Sequence, residues 1–399
     1  MRVLLAANAS YAPPRGGATR SNLAWLDHLA CAGHQCRIIA GESQPGAVLP
    51  VHESVCLTPV AQPAARVEAL RREIREFSPD WVMISSEDLA HGLLREAHHR
   101  APGRVVYVAH TPQFFPFGRE AWNLDRHAAE AAAEAAGIIV VGRKMAAYVQ
   151  AELRRTPQVI HPPIYGGGPY ASAAFPRGFV TMFNPCAVKG ISIFAALAQR
   201  MPACGFGAVA GWGTTAEDRR LLDGLPNVQW LPNARRIDDI LSRTCVLVVP
   251  SLWYEGFGLI VVEAMLRGIP VVASDRGGLP EAKLDTNWVI PVNGIERYQP
   301  VFDDQHMPRP VLPPNDVEPW ADAIAGLTRD GALWRRESES ARAAAEDFAG
   351  RLCASDLEDW LGHLEPFTGA HGAPASIESL SPLKRALLLR RLRQRKLCT

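Results

Sequence analysis

"YEGFGLIVVEAMLRGIPVVASDRGGLPE", residues 254–281, is the stretch that decides the fold. Its apolar residues have the spacing of a buried helix, yet the helix carries the acid Glu263, eight residues after the acid Glu255. An unpaired carboxylate in such a helix would be costly to remove from water. The pattern therefore predicts that a partner or a ligand compensates Glu263.

Short apolar runs typical of buried parallel strands surround this helix and alternate with helical patterns along most of the chain. The predicted strands of the first half are 3–7, 37–40, 81–85, 105–109 and 138–141, with helices at 21–31, 64–77 and 119–136. The predicted strands of the second half are 179–183, 206–210, 228–231, 246–249, 271–274 and 288–290. Two such series predict an α/β protein with two doubly wound, Rossmann-like parallel sheets that face each other across a cleft.

The domain boundaries are predicted from breaks in this alternation. Residues 161–178, rich in Pro and Gly, indicate a linker between a first domain, 1–165, and a second domain, 166–350. Residues 351–365 form a possible crossover helix, and 366–399 a flexible linker with a basic amphipathic tail. The Pro-rich and Asp-rich segment 298–319 is predicted to be irregular.

Composition excludes several functional classes. The 42 basic and 41 acidic residues nearly cancel, so nucleic acid is not an expected partner. The eight scattered cysteines have no metal-ligand spacing, which favours reduced thiols over a zinc site. No apolar stretch approaches the length of a membrane span, so we expect a soluble, cytoplasmic protein.

The start of the helix that carries Glu263 is predicted to bind an anion. A helix that begins near Phe257 or Gly258 directs free N–H groups and its positive dipole end toward the cleft. Gly256 and Gly258 allow a phosphate to approach the backbone closely. Glu263 lies roughly 7 to 8 Å farther along the helix, which suits a ribose attached to that phosphate. The alternative for either Glu is an exposed side chain or a simple complement to the helix dipole.

This stretch resembles the E-x7-E motif of retaining glycosyltransferases with the GT-B fold, in particular glycosyltransferase family 4. The resemblance implies that Glu255 holds hydroxyls of the donor sugar and that Glu263 holds the ribose of the nucleotide. It also implies that the amides of Phe257, Gly258 and Leu259 bind the diphosphate. The expected donor is a nucleotide-diphosphate sugar, with no other cofactor. The resemblance further implies that the first domain, 1–165, binds the acceptor and that the second domain, 166–350, binds the nucleotide sugar.

A second loop, in "FNPCAVKG", fits the same family in part. Lys189 and Gly190 match the second half of the R-x4-K-G pattern that the family places here, and Lys189 would neutralise the diphosphate. Asn184 stands where the family usually has Arg. One phosphate contact must therefore be weaker or come from elsewhere, with Arg15 or Arg20 as candidates.

Two positions in the first half complete the predicted site. Gly16 and Gly17 follow the first strand, and the resemblance implies that this loop closes over the donor diphosphate. His110 ends a predicted strand at the cleft edge, where the family has a His near the donor sugar. A structural role is the alternative for each.

No D-x-D follows a strand, so we expect a metal-independent reaction. The family resemblance implies net retention at the anomeric carbon. The acceptor is predicted to be a natural product, a lipid or a carrier-bound peptide. The basic tail, 380–397, is a possible docking element for a synthase or a membrane surface. A GT-B-like nucleotide-sugar epimerase and a non-catalytic partner subunit are the alternative functions.

Overall fold

The computed structural model describes residues 1–14, 16–170, 175, 178–234 and 236–368. The predicted basic tail, 380–397, lies outside these residues. The first sheet has seven parallel strands in the order β3-β2-β1-β4-β5-β6-β7. Its strands are β1 Arg2–Ala6, β2 Gln35–Ala40, β3 Val55–Pro59, β4 Trp81–Ser85, β5 Val105–Ala109, β6 Gly137–Val140 and β7 Gln158–Val159. The helices between them are α1 Gly16–Cys31, α2 Pro63–Phe77, α3 Gly92–Arg100, α4 Arg126–Ala133 and α5 Arg143–Leu153.

The second sheet has six parallel strands in the order β10-β9-β8-β11-β12-β13. Its strands are β8 Phe179–Phe183, β9 Phe206–Val209, β10 Val228–Leu231, β11 Thr244–Val249, β12 Val271–Ser274 and β13 Val289–Ile290. Helices α6 Ile191–Arg200, α7 Ala216–Asp223, α8 Asp238–Leu241, α9 Leu259–Met265 and α10 Leu279–Ala282 connect them. A separate hairpin, β14 Arg297–Phe302 with β15 Pro308–Val311, precedes α11 Glu318–Arg329, α12 Gly331–Gly350 and α13 Asp356–His363.

The predicted fold class is confirmed, because both sheets are parallel and doubly wound. Every predicted strand is present with bounds within two residues of the prediction. These strands are buried on both faces. In β1, Val3 and Leu5 enter one core cluster while Leu4 and Ala6 enter another, as the two-residue period of a strand requires.

Three expectations about local structure were wrong or incomplete. The helix expected over 119–136 covers only Arg126–Ala133, because the Asp125 side chain accepts a hydrogen bond from the Ala128 amide and caps the helix there. The segment expected to be irregular, 298–319, contains the β14–β15 hairpin. The edge strands β3 and β7 were missed, since an edge strand is only partly buried and lacks a continuous apolar run.

The two sheets share one apolar cluster. It runs from β1 and α1 of the first sheet to α9 and β12 of the second, and on to α13. Helix α13 lies against the first sheet's layer, where Glu358 contacts His28 and His34 at 3.2 and 2.9 Å. In the part of the chain that the structure describes, none of the helices combines the length and apolar character needed to cross a membrane. The domain limits drawn above remain predictions.

Candidate active site

Glu263 is compensated by a cation from the other half of the molecule. Helix α9 begins after Gly258, whose φ of 109° places it in the left-handed region, and Glu263 on this helix is only 4% exposed. Arg20 Nη2, from α1, lies 2.6 Å from Glu263 Oε1. Burial lowers the pKa of Arg20, but the adjacent Glu263 carboxylate raises it by more. The buried acid therefore has a partner, and the pair joins the two sheets' layers.

Glu255 also has a cationic partner. Lys189 Nζ lies 2.6 Å from Glu255 Oε1, and the Ser251 hydroxyl donates to the same oxygen at 2.5 Å. Lys189 Nζ also lies 4.2 Å from the centre of the Trp253 ring, a cation–π contact. The loop after β8 and the loop after β11 thus place one cation and one carboxylate side by side.

Close backbone contacts bring the Glu255 turn to the first sheet. A Cβ on Gly256 would lie 2.2 Å from the carbonyl oxygen of His110, so only glycine permits this approach. The Glu255 carbonyl accepts a hydrogen bond from the Gly278 amide at 2.8 Å, which fixes the turn from the other side. His110 and Glu255 therefore lie at the same meeting line of the two sheets.

The glycine loop after β1 lies on the start of α9. A Cβ on Gly17 would lie 2.9 Å from Leu259 Cδ1, and one on Gly16 would lie 3.7 Å from the ring of Trp212. Gly16, Gly17, Gly258 and Leu259 are therefore neighbours although they come from opposite halves of the chain. The cleft is this line of contact, formed by residues 16–20, His110, Lys189 and 254–263.

His110 is a neutral, hydrogen-bonded side chain. Its Nε2 lies 2.9 Å from Asn22 Oδ1, its amide donates to Ser86 Oγ, and its ring stacks on Trp25 with centroids 6.0 Å apart. Burial lowers the pKa of His110 to about 3. At neutral pH this imidazole can orient a group by hydrogen bonding but carries no charge.

Two family models match the chain in succession. "Glycosyltransferase Family 4" matches residues 15–165, and "Glycosyl transferases group 1" matches residues 178–330. The chain belongs to glycosyltransferase family 4.

Solved structures share the glycosyltransferase fold. The sucrose-phosphate synthase of Thermosynechococcus elongatus superposes with a TM-score of 0.69 and 17% identity over 91% of this chain and 99% of that one. Anabaena HepE, solved in complex with UDP-glucose, superposes with a TM-score of 0.63 and 17% identity over 91% of this chain and 98% of that one.

Sequence relatives match over shorter regions. A D-inositol 3-phosphate glycosyltransferase of Mycobacteroides abscessus is 29% identical over 193 residues, which are 46% of this chain and 37% of that protein. The α-1,3/1,6-mannosyltransferase alg-2 of Neurospora crassa is 36% identical over 75 residues, 18% of this chain and 16% of that protein. The matched regions thus span well under half the length of these curated relatives.

Asn184 is held by a hydrogen bond from the backbone of a neighbouring loop. It has a positive φ of 54°, and its Oδ1 accepts a hydrogen bond from the Gly213 amide at 2.9 Å. Its Nδ2 is buried and has no protein partner among the described residues. Of the two arginines expected to replace the missing cation, Arg20 is paired with Glu263 and Arg15 lies outside the described residues.

The Phe257 side chain is buried in the core rather than exposed at the cleft. Its side chain is 2% exposed and packs against Phe348 and His161, with ring centroids 5.7 and 5.0 Å apart. The phenyl ring therefore anchors the turn in the core that the two sheets share. The amides of Phe257, Gly258 and Leu259 remain the predicted diphosphate ligands.

Sequence analysis missed several polar residues around the cleft. Asn22 on α1 joins His110 to Ser85 and Tyr11, and Glu87 follows β4 directly. The signal for Glu87 was the acidic pair in "SSED" at the end of a predicted strand. Within the described ranges, no three His, Cys, Asp or Glu side chains converge as metal ligands.

Proposed function

We propose that this family 4 protein is a retaining glycosyltransferase that moves a sugar from a nucleotide-diphosphate sugar to an acceptor hydroxyl. The observation that carries the proposal is the pair of acids on either side of the α9 start, Glu255 with Lys189 and Glu263 with Arg20. The names of the relatives, and the UDP-glucose complex of HepE, support a nucleotide-sugar donor.

Each side chain of the site has a role in donor binding. Glu263 accepts hydrogen bonds from the ribose hydroxyls, while Arg20 pairs with its carboxylate. Glu255 accepts hydrogen bonds from the transferred sugar. Lys189 contacts both Glu255 and the diphosphate. The diphosphate also accepts hydrogen bonds from the backbone amides of residues 257–259 at the start of α9.

The reaction breaks the bond between the anomeric carbon and the diphosphate oxygen and forms a bond from that carbon to the acceptor oxygen. The leaving diphosphate takes the electron pair of the broken bond, and its oxygen takes the acceptor's proton on the same face, so the configuration is retained. Lys189 and the backbone amides stabilise the charge that develops on the diphosphate. These fixed groups make the proposed reaction independent of metal.

His110 positions the sugar or the acceptor as a neutral hydrogen-bonding group. Its hydrogen bond to Asn22 holds the ring in place. Closure of the two domains on the donor excludes water, which would otherwise hydrolyse it. The Gly17–Leu259 and Gly256–His110 contacts are the places where such closure is already tight.

The acceptor is a small molecule, a lipid or a peptide bound to a carrier, and nucleic acid is not a partner. Docking to a synthase or a membrane surface through 380–397 remains part of the proposal. A native pull-down with and without residues 376–399 tests it.

The donor is tested by thermal shift with UDP, GDP, TDP and ADP sugars. At a ligand concentration 100 times Kd, binding stabilises the native state by about 2.7 kcal/mol. We expect one nucleotide to raise the melting temperature of wild type and of Glu296→Ala, an exposed control, but not of Glu263→Ala. No shift with any nucleotide in wild type contradicts the proposal.

The stereochemistry and the metal requirement are tested with the donor so identified. Retention predicts that the product keeps the donor's anomeric configuration in its ¹H NMR coupling constant, and EDTA leaves the rate unchanged. The epimerase alternative predicts a changed sugar with donor alone, and the two family models and the relatives named above do not favour it. A non-catalytic subunit predicts no turnover with any acceptor.

A further inference from the structure

The first sheet has a polar crevice of its own. Its strand order reverses between β1 and β4, and in open α/β sheets ligands bind at the carboxyl ends of the strands at such a switch point. Residues 8–11 follow β1, and Glu87 follows β4, so both lie at this point. His110 ends the next strand, β5. The crevice therefore opens beside the cleft where the donor is proposed to bind.

Glu87 is connected to His110 by hydrogen bonds. The Ser85 hydroxyl donates to Glu87 Oε2 at 3.0 Å, and Asn22 Nδ2 donates to Ser85 Oγ at 3.1 Å. The Asn22 Oδ1 atom then faces His110 Nε2, and its Nδ2 also donates to the Tyr11 hydroxyl at 2.7 Å. Glu87 is half-buried, and its Oε1 atom accepts no hydrogen bond from a described residue.

Among the described residues, the Glu87 carboxylate has no cationic partner, unlike Glu255 and Glu263. Among the residues that the structure describes, no Lys, Arg or His nitrogen lies within 4.0 Å of it. Arg66, the buried cation of this region, donates instead to Asn8 and to the Ala61 carbonyl. A crevice of this kind disfavours a phosphorylated ligand, because a phosphate would face an uncompensated carboxylate.

The neighbouring titratable groups are neutral or acidic. Burial raises the pKa of Glu87 to about 7, although the hydrogen bond from Ser85 by itself lowers this pKa. Burial likewise raises the pKa of Tyr11 and of Tyr107. His110 is neutral, and Asp88 accepts from Asn8 Nδ2 at 2.6 Å and from the Leu93 amide at 2.8 Å. Among these described groups Glu87 is the least buried, and it accepts one side-chain hydrogen bond, at Oε2.

We propose that this crevice is the acceptor subsite, that it takes a neutral polyhydroxylated ring, and that Glu87 accepts hydrogen bonds from its hydroxyls. This inference rests on the proposed function, since it names the acceptor class for that reaction. Glu87 is a binding residue here, because the acceptor's reacting proton goes to the leaving diphosphate. Ligand hydroxyls can donate hydrogen bonds to the half-buried Glu87 carboxylate when it is ionised. Such charge-assisted hydrogen bonds are stronger than those between two neutral groups.

The test measures acceptor binding directly and needs no donor. Protein labelled at glutamate ¹³Cδ is titrated by NMR at pH 8 with myo-inositol, methyl α-D-glucopyranoside and methyl α-D-mannopyranoside, each against its monophosphate. The Glu87 resonance is assigned by its absence in Glu87→Gln. We expect at least one neutral polyol to shift it, and the matching phosphate to bind at least about tenfold more weakly.

Two variants separate a binding role from a structural one. Glu87→Gln keeps the side chain's shape and is expected to bind the polyol at least about tenfold more weakly at pH 8. Glu42→Gln removes an exposed acid just after β2 at the same edge of the sheet, and should bind like wild type. Lowering the pH to 5.5 protonates Glu87, so wild type should weaken toward Glu87→Gln, which should not respond.

Three outcomes overturn the proposal. They are a phosphate that binds more tightly than its neutral partner, a Glu87 resonance that no polyol moves, and equal polyol affinity in wild type and Glu87→Gln. The proposed function fails by a different result, the absence of any thermal shift with nucleotide sugars. The two failures are therefore distinguishable.

Discussion

Replacing Arg20 should expose the cost of the buried acid Glu263. In Arg20→Met the carboxylate loses the guanidinium 2.6 Å away, while its side chain is only 5% exposed. Removing one partner of a fully buried pair costs about 3–5 kcal/mol, and exposed pairs are worth about 0–1 kcal/mol. Because the Arg20 side chain is 38% exposed, water can reach the vacated position. We therefore expect a loss of about 1–3 kcal/mol in the free energy of unfolding.

The measurement is urea unfolding at pH 7, with calorimetry as a second readout. For a chain of 399 residues that unfolds as one unit, a loss of 1–3 kcal/mol corresponds to a decrease of roughly 1 to 4 °C in the melting temperature. In the double variant Arg20→Met/Glu263→Gln no uncompensated charge remains, so most of the loss should be recovered. Arg126→Met is the control, since Arg126 is 87% exposed in its pair with Glu130 and should change stability by less than about 0.5 kcal/mol.

Either of two results would refute the claim that Arg20 compensates the buried Glu263 carboxylate. One is a loss in Arg20→Met no larger than in the control. The other is a double variant whose loss equals the sum of the two single losses, because additive effects mean that the two side chains are not coupled. Either result would mean that something other than Arg20 compensates Glu263.

Three further predictions concern the cleft. Lys189→Met should lower kcat by about 10²–10³-fold in a steady-state assay, because it removes a group that stabilises the charge on the leaving diphosphate. Lys144→Met is the control, and an unchanged kcat in Lys189→Met would contradict the role of Lys189. Gly256→Ala places a Cβ 2.2 Å from the His110 carbonyl oxygen, so it should lower the free energy of unfolding by about 1–3 kcal/mol and abolish the donor-induced thermal shift. An unchanged thermal shift would mean that the two halves need not meet there. The pKa of His110 falls to about 3 on folding, so below pH 6.5 the unfolded chain binds more protons than the folded protein. As the pH falls from 6.5 toward 4, the free energy of unfolding of wild type should therefore decrease by up to about 1.4 kcal/mol per pH unit relative to His110→Gln. Urea unfolding that shows the same pH dependence in the two proteins would disprove this.

Local sequence predicted the sheets well because their strands are buried on both faces. A strand such as Trp81–Ser85 is apolar at every position and lies between helical patterns, so its existence and bounds follow from its own residues. The same reasoning failed for Val55–Pro59, whose outer positions are exposed at the edge of the sheet. It failed also for the hairpin at Arg297–Phe302, since a partly exposed two-stranded unit leaves little apolar periodicity.

The candidate site was only half predictable. The two acids, the glycines around them and Lys189 follow from the pattern of the loops that carry them. The engagement of Asn184 with the Gly213 amide does not, because it depends on how two loops after different strands pack together. The same holds for Glu87, which looked like an ordinary acid until the structure placed it at the switch point of the sheet.

The sequence by itself determined two tandem parallel sheets and a helix start shaped for a phosphate, because strand burial, helix periodicity and glycine positions are properties of neighbouring residues. Only the tertiary structure decided which charges meet. Arg20 and Glu263 are 243 residues apart in the chain, and no local pattern encodes the orientation of one domain on the other. That orientation is set by the apolar cluster shared by the two sheets, and it brings Arg20 to Glu263.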